Sequence, residues 1–320
     1  MNGRTGEESP QLRVVTRDNR VPGVVVLTLE DAAGRSLPEW EPGAHIDLVL
    51  GPGLVRQYSL CGDPDDRKSF RVAVLRENPG RGGSARVHDE LRIGSLIEAR
   101  GPRNRFPLEP AESYVFIAGG IGITPILPML YRARAAGAEC ELHYGGRSRS
   151  SMAFAAELAE HPDLAAVLYP QDEVGLIDLA TILGSPRHGT LIYACGPEPL
   201  LDAVDKHCRG WPEGSLHVER FRAPEPGDDM LAESFEVDLA VTGLTLSVPP
   251  DKSVLEVACE AGVPVLSSCQ EGTCGTCEVR VLEGEVDHRD SILTPAERAA
   301  HDTMFVCVSR AVGPRLVLDL

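Results

Sequence analysis

Three cysteines fall within nine residues, Cys269-Gln270-Glu271-Gly272-Thr273-Cys274-Gly275-Thr276-Cys277, and a fourth, Cys307, follows thirty residues later. This is the C-x4-C-x2-C…C spacing with which a plant-type loop ligates a [2Fe-2S] cluster. Thiolates reach two irons from one loop only if the backbone turns sharply. Gly272 and Gly275 supply that freedom and let amide N–H groups point at the sulfurs. A four-cysteine zinc site is the rival reading. Structural zinc usually takes paired C-x2-4-C knuckles, whereas here three cysteines share one loop and one stands alone. The other five cysteines, Cys61, Cys140, Cys195, Cys208 and Cys259, are scattered, which suits a reducing compartment better than a disulfide framework. Cys259, on an expected helix, is read as a core residue.

At 320 residues the chain is too long for one comfortable core, and two or three domains are expected. A formal net charge of -17 and the lack of any Lys/Arg cluster argue against nucleic-acid binding. Met1 to Pro10 is polar, without the apolar centre of a signal peptide, and no run of about 18 apolar residues occurs. The expectation is a cytoplasmic protein with no membrane partner, working as a monomer.

Three segments follow one another. From Leu12 to Arg100 the chain runs in short β-rich pieces (Arg13 to Arg17, Gly23 to Glu30, Ala44 to Leu50, Val55 to Leu60, Phe70 to Leu75, Leu96 to Ala99), a spacing that suits a small antiparallel barrel. After Gly101-Pro102, apolar strands alternate with helical stretches up to about Phe221: Tyr114 to Ala118, Ile126 to Ala136, Cys140 to Tyr144, Ala153 to Ala159, Ala165 to Tyr169, Thr190 to Ala194 and Pro197 to Cys208. That alternation predicts an α/β domain with a parallel sheet. Ala223 to Met230, rich in Pro, Gly and acid, reads as an exposed linker. The expected division is 1–105, 106–222, a linker at 223–232, and 233–320. The last segment carries 15 acidic and 6 basic side chains, and so about half of the net charge.

Several motifs have both a chemical and a plain reading. Gly119-Gly120-Ile121-Gly122-Ile123-Thr124-Pro125 follows an apolar strand and opens a helix, so its amides and the helix dipole suit a pyrophosphate, with Thr124 as N-cap and Pro125 as first helical residue. It lacks the third glycine of G-x-G-x-x-G, and a merely tight turn remains the alternative. Arg56-Gln57-Tyr58-Ser59 offers a guanidinium for a phosphate, a flat phenol for a flat cofactor and a hydroxyl for a ring heteroatom, or else a strand with an exposed Arg and a packed Tyr. Gly80-Arg81-Gly82-Gly83-Ser84 is a second anion cradle or a plain turn. The nine His are dispersed without a metal-ligand pattern, no G-x-S-x-G elbow is present, and Asp65-Asp66 and Asp228-Asp229 read as solvated turns.

Taken in order, Arg56-x-Tyr58-Ser59, Gly82-Gly83-Ser84, Gly119-Gly120-x-Gly122-x-Thr124-Pro125, Cys195-Gly196-Pro197 and the cysteine cluster resemble the ferredoxin-NADP reductase superfamily fused to a ferredoxin. The closer likeness is to the phthalate dioxygenase reductase family, which includes vanillate demethylase-type reductases. The resemblance covers residues 12 to 320. It implies an antiparallel β-barrel flavin domain, an α/β nucleotide-binding domain and a C-terminal α+β (β-grasp) ferredoxin domain. The cofactors it implies are FMN, NADH (with NADPH open) and a [2Fe-2S] cluster on Cys269, Cys274, Cys277 and Cys307.

By the same resemblance Arg56, Gln57, Tyr58 and Ser59 hold the flavin, and Gly82, Gly83 and Ser84 its phosphate. Gly119, Gly120, Gly122, Thr124 and Pro125 hold the dinucleotide, and Arg147, in Tyr144-Gly145-Gly146-Arg147-Ser148, meets its adenosine half. Cys195, Gly196 and Pro197 lie near the nicotinamide, and Phe221 covers the flavin. No side chain is assigned acid or base catalysis. The implied activity is electron transfer from NADH through FMN and the cluster to a terminal oxygenase, with either a Rieske centre and non-haem iron or a haem-thiolate centre. An FAD-containing reductase of the same domain order and a non-catalytic redox sensor are the alternatives.

Overall fold

The computed structural model describes residues 10–77, 80, 82–221 and 233–320. The chain forms two compact units, the first ending at Glu219 and the second beginning at Arg220. The linker expected at 223–232, Arg81 and Asp228-Asp229 lie outside the described residues.

Six antiparallel strands open the first unit: β1 (Gln11–Asp18), β2 (Val24–Asp31), β3 (Ala44–Gly51), β4 (Leu54–Ser59), β5 (Ser69–Leu75) and β6 (Leu96–Asn104). Their spatial order is β4-β3-β6-β1-β2-β5, and a bridge between Leu60 and Val72 brings the two edges together. Alternation builds the core. Leu12 and Val14 of β1, Leu27 and Leu29 of β2, and Ile46 and Leu48 of β3 have no solvent exposure and share one cluster. Helix α1 (Gly83–Glu90) adds Val87 to it.

Parallel strands follow: β7 (Ser113–Gly119), β8 (Glu139–Gly146), β9 (Ala166–Pro170), β10 (Thr190–Cys195) and β11 (Leu216–Glu219), ordered β11-β10-β7-β8-β9. The central strand β7 is covered on both faces. Tyr114, Phe116 and Ala118 share a core with helix α2 (Ile123–Ala135), while Val115 and Ile117 share another with Leu201 and Val204 of the helix Glu198–Cys208. Hence its sequence is an unbroken apolar run rather than an alternating one. The α2 core also includes Val24, Cys61 and Ala73 from the antiparallel part. Arg71 of β5 reinforces that junction, pairing with Glu157 at 2.7 Å and lying 4.6 Å from the Phe154 ring centre. The two sheets therefore form one packed unit.

In the second unit β12 (Phe235–Leu239), β13 (Leu244–Val248), β14 (Glu278–Glu283), β16 (Thr303–Phe305) and β18 (Arg315–Leu318) form a mixed sheet ordered β13-β12-β18-β14-β16. Two short strands, β15 (Val286–Asp287) and β17 (Arg310–Ala311), pair separately. The helix Val254–Glu260 begins with a reciprocal Ser253–Glu256 cap and buries Val254, Leu255, Val257 and Ala258. Cys259 lies on this helix but is exposed, which corrects its expected core placement: the buried stripe is complete without position 259. Buried Arg310 closes the other side, donating to the carbonyls of Lys252, Glu233 and Pro249. Among the described residues no helix is long and apolar enough to cross a membrane.

A polar group is buried within the first unit. Asp47 pairs with Arg103 at 2.6 Å and accepts from Gln57 at 3.0 Å, beside His45. Burial, and then the Arg103 charge, hold the His45 pKa down at about 4 against the pull of Asp47. The folded state thus keeps His45 neutral where the unfolded chain, near the ordinary 6.5, takes up a proton. Stability from this source is complete above pH 6.5 and is lost as pH falls towards 4, by at most about 3 kcal/mol. Urea titrations should show this acid-side loss in the wild type and a flatter curve in His45→Gln; identical curves would rule out His45 as its source.

Candidate functional site

The parallel sheet changes direction beside β7. The chain goes from β7 to β8 and β9 on one side, then returns to place β10 and β11 on the other. Such a switch point leaves a crevice at the carboxyl ends of the two central strands, where ligands of open α/β sheets bind. Two of the expected motifs meet there. Gly119 to Gly122 follow β7, and Cys195-Gly196-Pro197 follow β10. The contact is backbone on backbone: a Cβ at Gly122 would stand 2.3 Å from the Cys195 carbonyl oxygen, and one at Gly196 would stand 3.0 Å from Gly119 Cα. Gly120 has φ +54° and open space before it.

The expected capping differs. Gly120–Gly122 form one 3-10 turn and α2 starts at Ile123 with Gly122 as N-cap, so neither Thr124 nor Pro125 holds the position expected of it. The tight glycine turn winds the chain into helix early. Thr124 is consequently 2 % exposed, and its hydroxyl donates to the Ile121 carbonyl at 2.9 Å. Ile123 N–H is bonded back to the carbonyls of Gly120 and Ile121, and Pro125 carries no N–H, so the turn's available amides lie before the helix.

Arg147 follows β8, is exposed, and has no side-chain hydrogen bond or ion pair among the described residues, whereas its neighbour Arg149 is paired with Glu173 at 2.9 Å. Cys195 is wholly buried and stands in register with Glu219 of β11, 3.9 Å from its carboxyl. Burial, then the Glu219 charge, push the thiol well above its usual range. Burial raises Glu219 to about 8, against a pull down from the Cys195 hydrogen bond. Burial therefore favours the protonated form of both groups. Phe221 is 38 % exposed and belongs to the start of the second unit.

The residues expected to hold a flavin converge on the amino end of α1. Gly82 is its N-cap with φ +81° and no side-chain cap, so first-turn N–H groups stay available for an anion. Arg56 lies across this turn, where a Cβ at Gly83 would meet its Nε at 2.7 Å. Ser84 Oγ accepts from Glu77 N–H at 3.1 Å. Tyr58, two residues from Arg56 on the same strand face, packs against the core, and burial raises its phenol. A guanidinium, free amides and a half-buried aromatic ring fit a flavin phosphate and ring. Gln57 faces the other way, towards Asp47 and His45, and Ser59 is 6 % exposed at the strand end. The 3-10 turn Gly120–Gly122 approaches β5, so the crevice opens on the antiparallel sheet.

In the second unit the four thiols come together. Cys269, Cys274, Cys277 and Cys307 are 5 %, 1 %, 2 % and 9 % exposed. Cys277 and Cys307 are brought side by side because β14 and β16 run antiparallel and Val306 N–H donates to the Cys277 carbonyl at 3.2 Å. Glu271 N–H points at Cys269 Sγ from 3.2 Å and Thr276 N–H at Cys274 Sγ from 3.4 Å. Gly272, at φ +67°, passes so close to the next segment that a Cβ would stand 2.6 Å from Val308 Cγ2. The hydrogen bond that Cys274 donates to Cys269, then burial, push Cys274 up. Cys307 is drawn down by Cys269 but pushed up to about 12 by Cys277 and burial. A bound cation would have to displace the protons of Cys274 and Cys307. Among the described residues no three such ligands close on a point fit for one ion. Cys269 neighbours both Cys274 and Cys307, and Cys307 neighbours Cys277 as well, so the four sulfurs form one continuous group.

Glu219 and Glu77 were not legible as site residues. Glu219 meets Cys195 only through parallel pairing of strands 24 positions apart. Gly122→Ala should raise KM for NADH about tenfold or more with an artificial acceptor and cost about 1–3 kcal/mol of stability. An unchanged KM would show that this turn does not receive the dinucleotide.

Comparison with known proteins agrees with this geometry. Residues 116–206 match the model of the oxidoreductase NAD-binding domain and residues 237–312 that of the 2Fe-2S iron-sulfur cluster binding domain. The chain is 42 % identical over 301 residues to the tert-butanol monooxygenase / tert-amyl alcohol desaturase reductase subunit of Aquincola tertiaricarbonis, covering 90 % of this chain and 89 % of the relative. It superposes on an intact type IV self-sufficient cytochrome P450 monooxygenase with TM-score 0.89 and 46 % identity, over 97 % of this chain but only 41 % of that longer one. It superposes on phthalate dioxygenase reductase, described as a modular structure for electron transfer from pyridine nucleotides to [2Fe-2S], with TM-score 0.72, 35 % identity and 97 % coverage of both. The chain therefore belongs to the phthalate dioxygenase reductase-like family, the NAD-dependent iron-sulfur reductase components of oxygenase systems.

Proposed function

We propose that this protein takes electrons from NADH and delivers them one at a time, through FMN and a [2Fe-2S] cluster, to a separate terminal oxygenase. The observation that carries the reading is the convergence of four buried thiols in a chain that also holds a switch-point crevice. When bound, the nicotinamide supplies a hydride, the flavin divides the electron pair and the cluster carries single electrons.

The domains are read as 1–105 for FMN, 106–222 for NADH, a linker at 223–232 and 233–320 for the cluster. Gly119, Gly120 and Gly122 cradle the pyrophosphate, and Thr124 and Pro125 fix their turn. Arg147 reaches the adenosine half, which leaves NADPH as a weaker second donor. Cys195, Gly196 and Pro197 wall the nicotinamide pocket with a protonated thiol that keeps water out. Arg56 and the amides of Gly82, Gly83 and Ser84 hold the FMN phosphate. Tyr58 and Ser59 bound its ring, and Gln57 braces the strand from behind.

The protein is read as a cytoplasmic monomer. The 46 % identity to a self-sufficient cytochrome P450 monooxygenase favours a haem-thiolate acceptor as a second reading beside a Rieske non-haem iron oxygenase. In either case the strongly acidic second unit is steered towards a positive patch on the acceptor.

Anaerobic titration with NADH, followed in the visible spectrum, should bleach flavin and cluster bands together and saturate at about three electrons per chain. Bleaching of neither band by NADH or NADPH would end this reading. Cys274→Ser should abolish electron delivery to the acceptor while leaving flavin bleaching measurable; retention of both would show that Cys274 is not a ligand. The rate of acceptor reduction should fall with rising ionic strength, and a flat response would remove the steering argument.

A further inference from the structure

Behind the cluster loop lies a buried ionisable pair that electron delivery, as described so far, leaves unused. Between β15 and the helix Pro295–Ala300 runs His288-Arg289-Asp290-Ser291. The side chains of His288 and Asp290 are 4 % and 0 % exposed, with His288 Nδ1 3.7 Å from Asp290 Oδ1. Asp290 Oδ2 accepts from the N–H groups of Ile292 and Leu293 at 2.9 and 2.8 Å, but Oδ1 and both His288 ring nitrogens are buried without a hydrogen bond of good geometry. The segment is pressed against the cluster loop. Ser291 N–H donates to the Gly272 carbonyl at 3.0 Å, and Asp290 Cα lies 3.0 Å from where a Gly272 Cβ would stand.

The surroundings of His288 are largely set by three groups. Asp290 faces it from its own segment. From the helix Pro295–Ala300 and its end come Arg298, 3.8 Å from Asp290 Oδ2, and His301, whose ring lies 5.5 Å away. Arg289 is paired with Asp287 at 2.7 Å. His301 Nδ1 accepts from Val286 N–H at 3.1 Å, so that ring is already committed. A carboxyl group only partly met by Arg298, with an imidazole beside it whose one backbone partner, Arg298, is poorly aligned, leaves room for one proton in a low-dielectric site.

We propose that His288 and Asp290 form a charge-compensating pair for the iron-sulfur centre, His288 taking a proton from solvent as an electron arrives and returning it as the electron leaves. The electron comes from NADH through the reaction described above, so one electron and one proton enter together and leave together. Asp290 acts as a positioning residue, holding both the imidazole and the Gly272 turn. The inference rests on the cluster being held by the four cysteines.

The direction follows from the charges. Burial first, and then His301 and Arg298, hold His288 below the ordinary imidazole range against the pull of Asp290. An added negative charge beyond Gly272 raises it. Between the oxidised-state and reduced-state values the midpoint potential of the cluster falls as pH rises, by up to about 59 mV per pH unit, the one-electron equivalent of a tenfold change in proton activity.

The test is an EPR-monitored redox titration of the full-length holoprotein at several pH values, in wild type, His288→Gln and Asp290→Asn. The visible and EPR signatures of the cluster in each sample establish its presence independently of any slope. Loss of those signatures in the wild type counts against the cluster reading, whereas a flat wild-type midpoint with signatures intact overturns only this proposal. The expected result is a pH-dependent midpoint in the wild type, none in His288→Gln, and a window moved to lower pH in Asp290→Asn. A slope that survives in His288→Gln overturns the assignment. Should His288→Gln fail to load the cluster, wild-type proton uptake that tracks the cluster EPR signal rather than the flavin band, read with an indicator dye, decides it: such uptake supports the pair and its absence overturns it.

Discussion

Cys307 is thirty residues beyond Cys277, and the two thiols meet only because β16 returns antiparallel beside β14. Everything between them serves that return. Asp290 and Ser291 lean on Gly272, and the helix Pro295–Ala300 turns the chain through a capped start. The loop Cys269–Cys277 leans on the rest of the unit, since Gln270 holds φ +56°, a conformation that costs a residue with a Cβ, while Gly272 takes φ +67° freely. The sheet core of the second unit continues directly into the thiol group, with Cys277 and Cys307 counted among its buried side chains.

In the first unit the governing contact is backbone against backbone. Gly122 on Cys195 and Gly119 on Gly196 bring the ends of β7 and β10 closer than side chains allow, and this makes the switch-point crevice tight enough for amides to line it. The core that supports α2 runs on into the antiparallel sheet through Val24, Cys61 and Ala73, and Arg71 clamps Glu157 across the same junction. Two sites that must exchange electrons at short range are therefore fixed in one packed body.

The chemistry of the crevice is restrained. Burial above all favours the protonated forms of Cys195 and Glu219, which weakens the thiol as a nucleophile and the carboxyl as an anion. That suits a protein whose cofactors do the redox work and whose side chains bind, orient and exclude water.

The sequence alone determined the kind of centre and the order of the parts. The C-x4-C-x2-C…C spacing, the short β-rich pieces before residue 100 and the strand–helix alternation after it are local patterns, and local patterns survive in one dimension. It also placed Gly119 to Gly122 at a strand end, though it put the helix start too late, because a 3-10 turn takes no residue signature of its own. What only tertiary structure decided were the pairings across distance: Cys195 with Glu219, Arg56 over Gly83, and the His288–Asp290 pair behind Gly272. The solvent-facing position of Cys259 was likewise set by which stripe of its helix met the sheet. Each depends on register and packing between segments far apart in the chain, and composition and spacing carry no record of either.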